Sequence, residues 1–588
     1  MSMRCVLIIA LLSVLSAPAL AQTRYLGADL SYVNQMEDCG AVYRENGAAK
    51  DVYQIFADHG TNLVRVRLWV DPSWQNRLSQ PPGVKSQYSD LEDVRETIQR
   101  SQDAGMQVLL DFHYSDFWAD PGRQVVPSRW AGIANVTDVL ADSVYQYTAR
   151  VLAGLDADGL MPELVQVGNE TNPGMLVYQS MNSQFEGTGF ISSDWGRQAV
   201  LFNAAIRAVR EVGATASVSP KIVIHFANPN GALSRVRTLV DNGVTDFDII
   251  GLSFYYAHHG QSVSLASAYV SGLVKQLPDY DVAIVETGYL WSTQNHDSLP
   301  NIINTADPAY LPVSPRTQLE YQVDLTRRVF SVGGVGVIFW EPAWVSTDCR
   351  TPWGQGSSHD HVAFFDPADD DFIADGGGRW SEPEFYQDLD APKTRFKVDM
   401  TGQNVSGGVY LDGDLASGGN PIPMSPEGGG IYSTFLHLPE GARGIYFFQT
   451  GAGRESIPSA CSDSAADARR FSIGQAESIY GFVWGNCTSF GTATAIEDQP
   501  EPGFALHPAA PNPVSSSGMI RYQLPRAGPV HLAVYDLLGR SVQVLVQGIQ
   551  AAGSHEAQVE VNSLPAGVYL YRLSTPVGQL SRVLTVAK

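Results

Sequence analysis

Residues 163–170 read Glu-Leu-Val-Gln-Val-Gly-Asn-Glu and residues 281–286 read Asp-Val-Ala-Ile-Val-Glu. Each is a short, mostly β-branched run of strand length that stops on a carboxylate. Six more runs of this kind lie along the first two thirds of the chain: YLGADLS from Tyr25, NLVRVRLWV from Asn62, MQVLLDFH from Met106, KIVIHFA from Lys221, FDIIGLSFY from Phe247 and GVGVIFWEP from Gly334. Between them stand longer segments such as SDLEDVRETIQRSQDAG, where Leu91, Val94 and Ile98 share one helical face and Gly105 suits a C-cap. Strands alternating with helices predict a parallel sheet. Eight such units over roughly 360 residues predict an α/β fold, a (β/α)8 TIM barrel with long loops.

In such a barrel the C-terminal end of every strand opens into one mouth. It would gather Asp29, Arg67, His113, Asn169, Glu170, Tyr255, Glu286, Trp340 and Glu341. A carboxylate ending a buried strand is costly unless it has a partner or a chemical role. Glycosidic hydrolysis supplies such a role, since one carboxyl protonates the leaving oxygen while the other attacks or activates water from the opposite face. A gap of about 5–5.5 Å between the two implies retention, and about 6.5–9.5 Å implies inversion. The competing reading makes Glu170 or Glu286 a salt-bridge partner of Arg65 or Arg67, which share one face of the second strand. Both readings hold together if a guanidinium keeps the nucleophile ionised. Asp111, His113, Asp116 and Asp120 lie in DFHYSDFWADP without a further close His or Cys, which favours hydrogen bonding to sugar hydroxyls over a metal site. Trp69, Trp118, Tyr255, Tyr289, Trp291, Trp340 and Trp344 near strand ends are candidate sugar platforms.

The composition narrows the partners. With 38 Lys and Arg against 61 Asp and Glu, the net charge of −23 repels nucleic acid and anionic membranes and suits a neutral substrate. Arg4, the apolar run Val6–Leu15 and the triplet Ala19, Leu20, Ala21 predict a signal peptide over residues 1–21. The run is shorter than the ~20 residues a membrane anchor needs. The barrel is expected over residues 22–390, a β-sandwich module over 391–491, a linker over 492–503 and a last β-domain over 504–588. Cys39, Cys349, Cys461 and Cys487 remain after loss of Cys5, and four cysteines allow three pairings. Cys39–Cys349 with Cys461–Cys487 keeps each bridge within one expected domain.

The motifs GADLSYVNQMEDCG, NLVRVRLWVDP, LLDFHYSDFWADP, PELVQVGNE, VAIVETGY and FWEPAW, in this order, resemble glycoside hydrolase family 53, the arabinogalactan endo-β-1,4-galactanases. The resemblance implies a retaining enzyme acting on β-1,4-galactan, with Glu170 as acid/base, Glu286 as nucleophile and Asn169 beside the cleaved bond. Asp29, Arg67, His113, Asp116, Trp118, Asn169, Tyr255, Trp340 and Trp344 are the expected substrate-binding residues, with no cofactor required and a monomer expected. Some family members carry a structural calcium near the last barrel loops. The acidic run Asp366–Asp371 does not place one here. Three stretches depart from the family pattern: Val177 stands after Gly-Met-Leu where a tryptophan is common, FYYAHHG replaces a Tyr-Tyr-Pro-Phe-Trp run, and strand five ends in HFANPN. The alternatives are another endo-β-glycanase of the same clan, such as a mannanase, and a surface glycan-binding protein that has lost catalysis.

The segment from Thr394 resembles small β-sandwich modules of exported bacterial enzymes, akin to starch-binding folds, and reads either as a glycan-binding unit or as a spacer. PNPVSSSGMIRYQLP, VYDLLGR and LPAGVYLYRL resemble type A sorting domains of the type IX secretion system. That implies a Bacteroidetes-type Gram-negative source, passage through the periplasm, delivery to the surface or medium, and removal of the domain there.

Overall fold

The computed structural model describes residues 24–373 except 312, and residues 376–587 with breaks, the longest being 379–392 and 490–504. The expected signal peptide, linker and barrel–module boundary lie outside the described residues.

Eight strands close a parallel barrel: β1 (Tyr25–Asp29), β2 (Leu63–Leu68), β3 (Gln107–Phe112), β4 (Leu164–Val167), β5 (Lys221–Phe226), β6 (Ile249–Phe254), β7 (Asp281–Thr287) and β8 (Gly336–Phe339). Each pairs with its neighbours in sequence order, and β1 pairs with both β2 and β8. All eight expected runs are strands. The right-twisted crossover explains why helices such as Leu91–Asp103 and Trp195–Gly213 fall between them.

Alternation along β2 sends Val64, Val66 and Leu68 outward into the helix-facing core. Its inward face stacks Leu63, then Arg65, then Arg67. Leu63, Leu109, Leu164, Val223, Ile249, Ala283 and Ile338 fill the barrel floor with an apolar layer. Close packing there needs small residues: a Cβ on Gly27 would come within 2.7 Å of Ile338. Above this floor the inward positions turn polar, and the site begins.

One irregularity matters for that site. On β7 the register shifts, so that Leu252 faces Ile284 but Ser253 faces Glu286, leaving Val285 as an extra residue. Val285 joins the barrel floor cluster. In an unbroken strand the next residue would point outward to the helices; the β-bulge turns Glu286 back into the mouth.

The module that follows packs two antiparallel sheets around Phe396, Val398, Leu411, Tyr446 and Phe448. One sheet carries Ile431–His437 against Lys393–Asp399, and the other Val409–Gly413 against Arg443–Thr450. This sandwich seats on the barrel helix Pro315–Ser331. Arg316 covers the Phe435 ring at 4.6 Å and donates to its carbonyl at 2.9 Å, and Arg395 pairs with Glu320. Phe435 itself belongs to the barrel's core cluster. The last domain, described by itself, is a two-sheet antiparallel sandwich around Val514, Ile520, Tyr522, Leu532, Val559 and Leu573. Both bridges form as paired above, Cys39–Cys349 and Cys461–Cys487, each with Cα atoms 5.5 Å apart.

Candidate active site

The C-terminal rim of the barrel opens into a cleft of about 790 Å³. Glu170 and Glu286 both line it, with Arg67, His113, Trp118, Asn169, Tyr255, Trp340 and Trp344. Just past β4 the backbone turns sharply: Gly168 has φ +82° and Glu170 φ +46°. A Cβ on Gly168 would meet Thr171 at 2.6 Å, so this turn requires glycine. Glu170 occupies a left-handed conformation that is uncommon for any residue with a long side chain. Such strain is held only where surroundings over-determine it, here by Gln124, which donates to the Asn169 carbonyl at 2.6 Å.

Arg65 organises the cleft floor. Its guanidinium donates to Asp29 at 2.7 Å, Asp111 at 2.7 Å and Asn169 Oδ1 at 2.7 Å, and lies 2.8 Å from Glu286. Burial works against its charge, but Asp111, Glu286 and Asp29 outweigh burial and hold it cationic. For Glu286 burial raises the carboxyl and Arg65 pulls it back down. Glu170 is raised well above the usual range, first by burial and then by the charge of Glu286. Two carboxyls this close share one negative charge, and the guanidinium draws that charge to Glu286. Tyr255 adds a hydroxyl donor to Glu286 Oε2 at 3.3 Å.

Ser253, at the end of β6, touches both carboxylates: 2.6 Å to Glu170 Oε1 and 3.4 Å to Glu286 Oε2. Behind it His225 Nε2 lies 2.9 Å away, and burial with Arg65 keeps that imidazole neutral.

Arg67 sits one layer higher, ion-paired with buried Glu341 at 2.9 Å. Its guanidinium packs on the rings of Trp118 (4.2 Å), Trp69 (4.7 Å) and Tyr32 (4.8 Å). Trp344 stacks on Tyr32 at 4.2 Å, and Trp340 meets Trp118 edge-on at 5.9 Å. The aromatic wall of the cleft is thus fixed from behind by a charge pair.

Two of the expected binding residues lie away from the cleft. Asp29 is fully buried, its oxygens taken by Ser31 and Arg65. Asp116 accepts from the Ser128 amide and hydroxyl, pinning its own loop. His113 lines the cleft, but its nitrogens are engaged by Asp111, Trp69 and the Ala119 amide. Trp69 and Tyr289 are core, and Trp291 is not among the cleft-lining residues. Conversely, Trp353 lines the cleft at 46% exposure from the hairpin Arg350–Gln355, which no strand-end reading reaches. Phe117 and Phe185 pack against its ring. Arg65, Ser253 and His225 also build the site and lie outside the expected binding set. Their signal was positional, since each lies on an inward face two residues from a residue at the mouth. Of the three departures from the family pattern, Val177 is buried, whereas His258 and Asn228 line the cleft. Among the described residues no three His, Cys, Asp or Glu side chains gather as a metal cluster. Asp370 and Asp371 accept from the Val42 and Gly47 amides.

Residues 25–374 match the model of glycosyl hydrolase family 53, and residues 509–586 that of a secretion system C-terminal sorting domain. An arabinogalactan endo-β-1,4-galactanase of Cellvibrio japonicus is 44% identical over 344 residues, 58% of this chain and 86% of the relative. An endo-β-1,4-galactanase of Bacillus subtilis is 31% identical over 370 residues, 60% of this chain and 79% of the relative. Among solved structures, the family 53 catalytic domain of Ignisphaera aggregans superposes with a TM-score of 0.53 at 28% identity, covering 61% of this chain and 96% of that one.

Proposed function

Because the chain belongs to glycosyl hydrolase family 53, we infer that it cleaves β-1,4-galactan by retention, with Glu286 as nucleophile and Glu170 as acid/base. It is a secreted endo-β-1,4-galactanase, carrying the sorting domain of type IX secretion to the cell surface or beyond. Its hydrolysis uses protein carboxyls and requires no cofactor.

One observation carries the mechanism: a single hydroxyl, Ser253, reaches both carboxylates, while only Glu286 has a guanidinium beside it. The two Ser253 distances keep those oxygens closer than the ~6.5 Å at which inverting pairs begin. Glu286 attacks the anomeric carbon as Glu170 protonates the departing glycosidic oxygen. A covalent galactosyl-enzyme forms, and Glu170, now ionised, takes a proton from the water that releases it. Trp118, Trp340, Trp344 and Trp353 offer apolar faces to successive sugar rings. We assign catalysis to residues 22–390, with module, linker and sorting domain as delimited above, and a monomeric exported protein beginning near Gln22.

The test incubates the mature chain with linear β-1,4-galactan, β-mannan and xylan and follows new reducing ends and the anomer formed first. Galacto-oligosaccharides released as the β-anomer are expected, from galactan alone. First release of the α-anomer would sink retention, and activity of Glu286→Ala within tenfold of the parent would sink the nucleophile assignment. Light scattering on the same sample checks for a monomer.

A further inference from the structure

Ser253 is fully buried, yet its hydroxyl faces three acceptors: Glu170 Oε1 at 2.6 Å, Glu286 Oε2 at 3.4 Å and His225 Nε2 at 2.9 Å. It has one proton to give. The far side of the imidazole decides where that proton goes. His225 Nδ1 lies 2.9 Å from Asn169 Oδ1. The identity of that oxygen follows from its neighbours, since the same amide donates to the Ala119 carbonyl at 2.8 Å and receives Arg65 at 2.7 Å. Two acceptors repel at such a distance, so Nδ1 carries the imidazole proton and Nε2 is an acceptor. Two donors also approach Nδ1, Gln166 Nε2 at 3.1 Å and the Glu170 amide at 3.3 Å; Gln166 donates instead to Asp111 at 2.7 Å, and the Glu170 amide gives up its longer contact in the Nδ1–H tautomer.

We propose that Ser253 is a positioning residue whose O–H alternates between His225 and Glu170 as the acid/base loses and regains its proton. This rests on the assignment of Glu170 above. While Glu170 is protonated, its O–H faces Ser253 Oγ and Ser253 donates to His225 Nε2. A bound substrate draws the carboxyl proton to its glycosidic oxygen, and the proton leaves with that oxygen as the C–O bond breaks. The Ser253 O–H then swings to the new carboxylate. When Glu170 takes a proton from the attacking water, the swing reverses. No proton passes through Ser253 or His225; the hydroxyl only reorients, so both states of Glu170 keep a partner without movement of the backbone.

Glu286 and Asp120 act on Glu170 by favouring its neutral form and Arg65 by favouring its charged form. His225, Tyr255 and His258 stand around it, with burial favouring the neutral form of each. Of these, Ser253 touches only His225, at 2.9 Å, and Glu286, at 3.4 Å.

The experiment measures the pH dependence of kcat/KM on galactan for the full mature chain and for Ser253→Ala, Ser253→Cys and Ser253→Thr. It adds an aryl β-1,4-galactobioside whose leaving group needs no protonation. In Ser253→Ala the ionised acid/base loses its donor, so the basic limb should move up by about one pH unit. Turnover of the aryl substrate at neutral pH should fall about tenfold, because less Glu170 is ionised to act as base. Ser253→Thr should restore both, and Ser253→Cys, with a weak donor in nearly the same volume, should fall between and guards against loss of fold in the alanine variant. An unmoved basic limb with an even loss across pH in both the alanine and cysteine variants would overturn the proposal. Glu170→Ala separates the two claims. It should lose galactan cleavage, and on the aryl substrate its kcat should collapse for want of the base and recover with azide, while kcat/KM falls far less; if it does not, the acid/base assignment falls first.

Discussion

Replacing Glu286 by glutamine should make the protein more stable at neutral pH while abolishing catalysis. Three carboxylates, Asp29, Asp111 and Glu286, surround the single guanidinium of Arg65, all within 2.8 Å of it. Burial, with the charges of Asp111 and Asp29, raises Glu286 to about 7 although Arg65 opposes the rise. A group whose folded value is raised adds stability that is full below its unfolded value, here 4.5, and is lost as pH rises through its folded value. At about 1.4 kcal/mol per unit, the folded protein at neutrality forgoes roughly 3 kcal/mol that it holds at pH 4. Glutamine keeps the shape and removes the charge, but it weakens the contacts to Arg65 and Tyr255, which offsets about a third of the gain. The net effect should be about 2 kcal/mol at pH 7.5, a rise of roughly 2–5 °C in the melting midpoint of a barrel this large. Parallel thermal scans of parent and Glu286→Gln at pH 4.5 and 7.5 read it directly. The gain should shrink toward zero at pH 4.5, where the parent carboxyl is already protonated. A variant less stable than the parent at pH 7.5, or a difference independent of pH, would refute this account of the charge balance around Arg65.

Two further outcomes are expected. Arg67→Met leaves buried Glu341, which burial and Asp29 already push toward its neutral form, without the guanidinium that opposes them, and takes away the surface on which Trp118 packs; denaturant titration should show a loss of about 3 kcal/mol, and an unchanged midpoint would mean that neither the ion pair nor the packing on Arg67 contributes. Phe435→Ala removes a ring that the barrel helix Pro315–Ser331 covers through Arg316, and should destabilise the barrel by about 3 kcal/mol; if only the module unfolded earlier, while the barrel melted as before, the sandwich would be an independent appendage.

The barrel was legible because strands covered on both faces read as short, mostly apolar runs broken only by single inward polar residues, and because carboxylates that end such runs are too costly to be incidental. The same logic reached Glu170, Glu286 and the wall of Trp118, Trp340 and Trp344, and domain membership was enough to pair the cysteines. Asp29 shows where that logic overreaches, since a polar residue at a strand end can equally serve the framework. The choice between Arg65 and Arg67 was beyond it too: both point inward, and only depth in the barrel assigns Arg65 to Glu286 and Arg67 to Glu341.

Sequence alone therefore determined the eight-stranded architecture and the catalytic carboxyl candidates, both of which follow from local periodicity. Tertiary structure decided what depends on register and long-range approach. Counted by twos from Ala283, Glu286 belongs outside the barrel, and it reaches the cleft only because a bulge at Val285 shifts β7 against β6. Ser253 meets Glu170 and His225, and Trp353 reaches the cleft from a hairpin beyond β8, because a closed barrel brings distant strand ends within a few ångströms of one another.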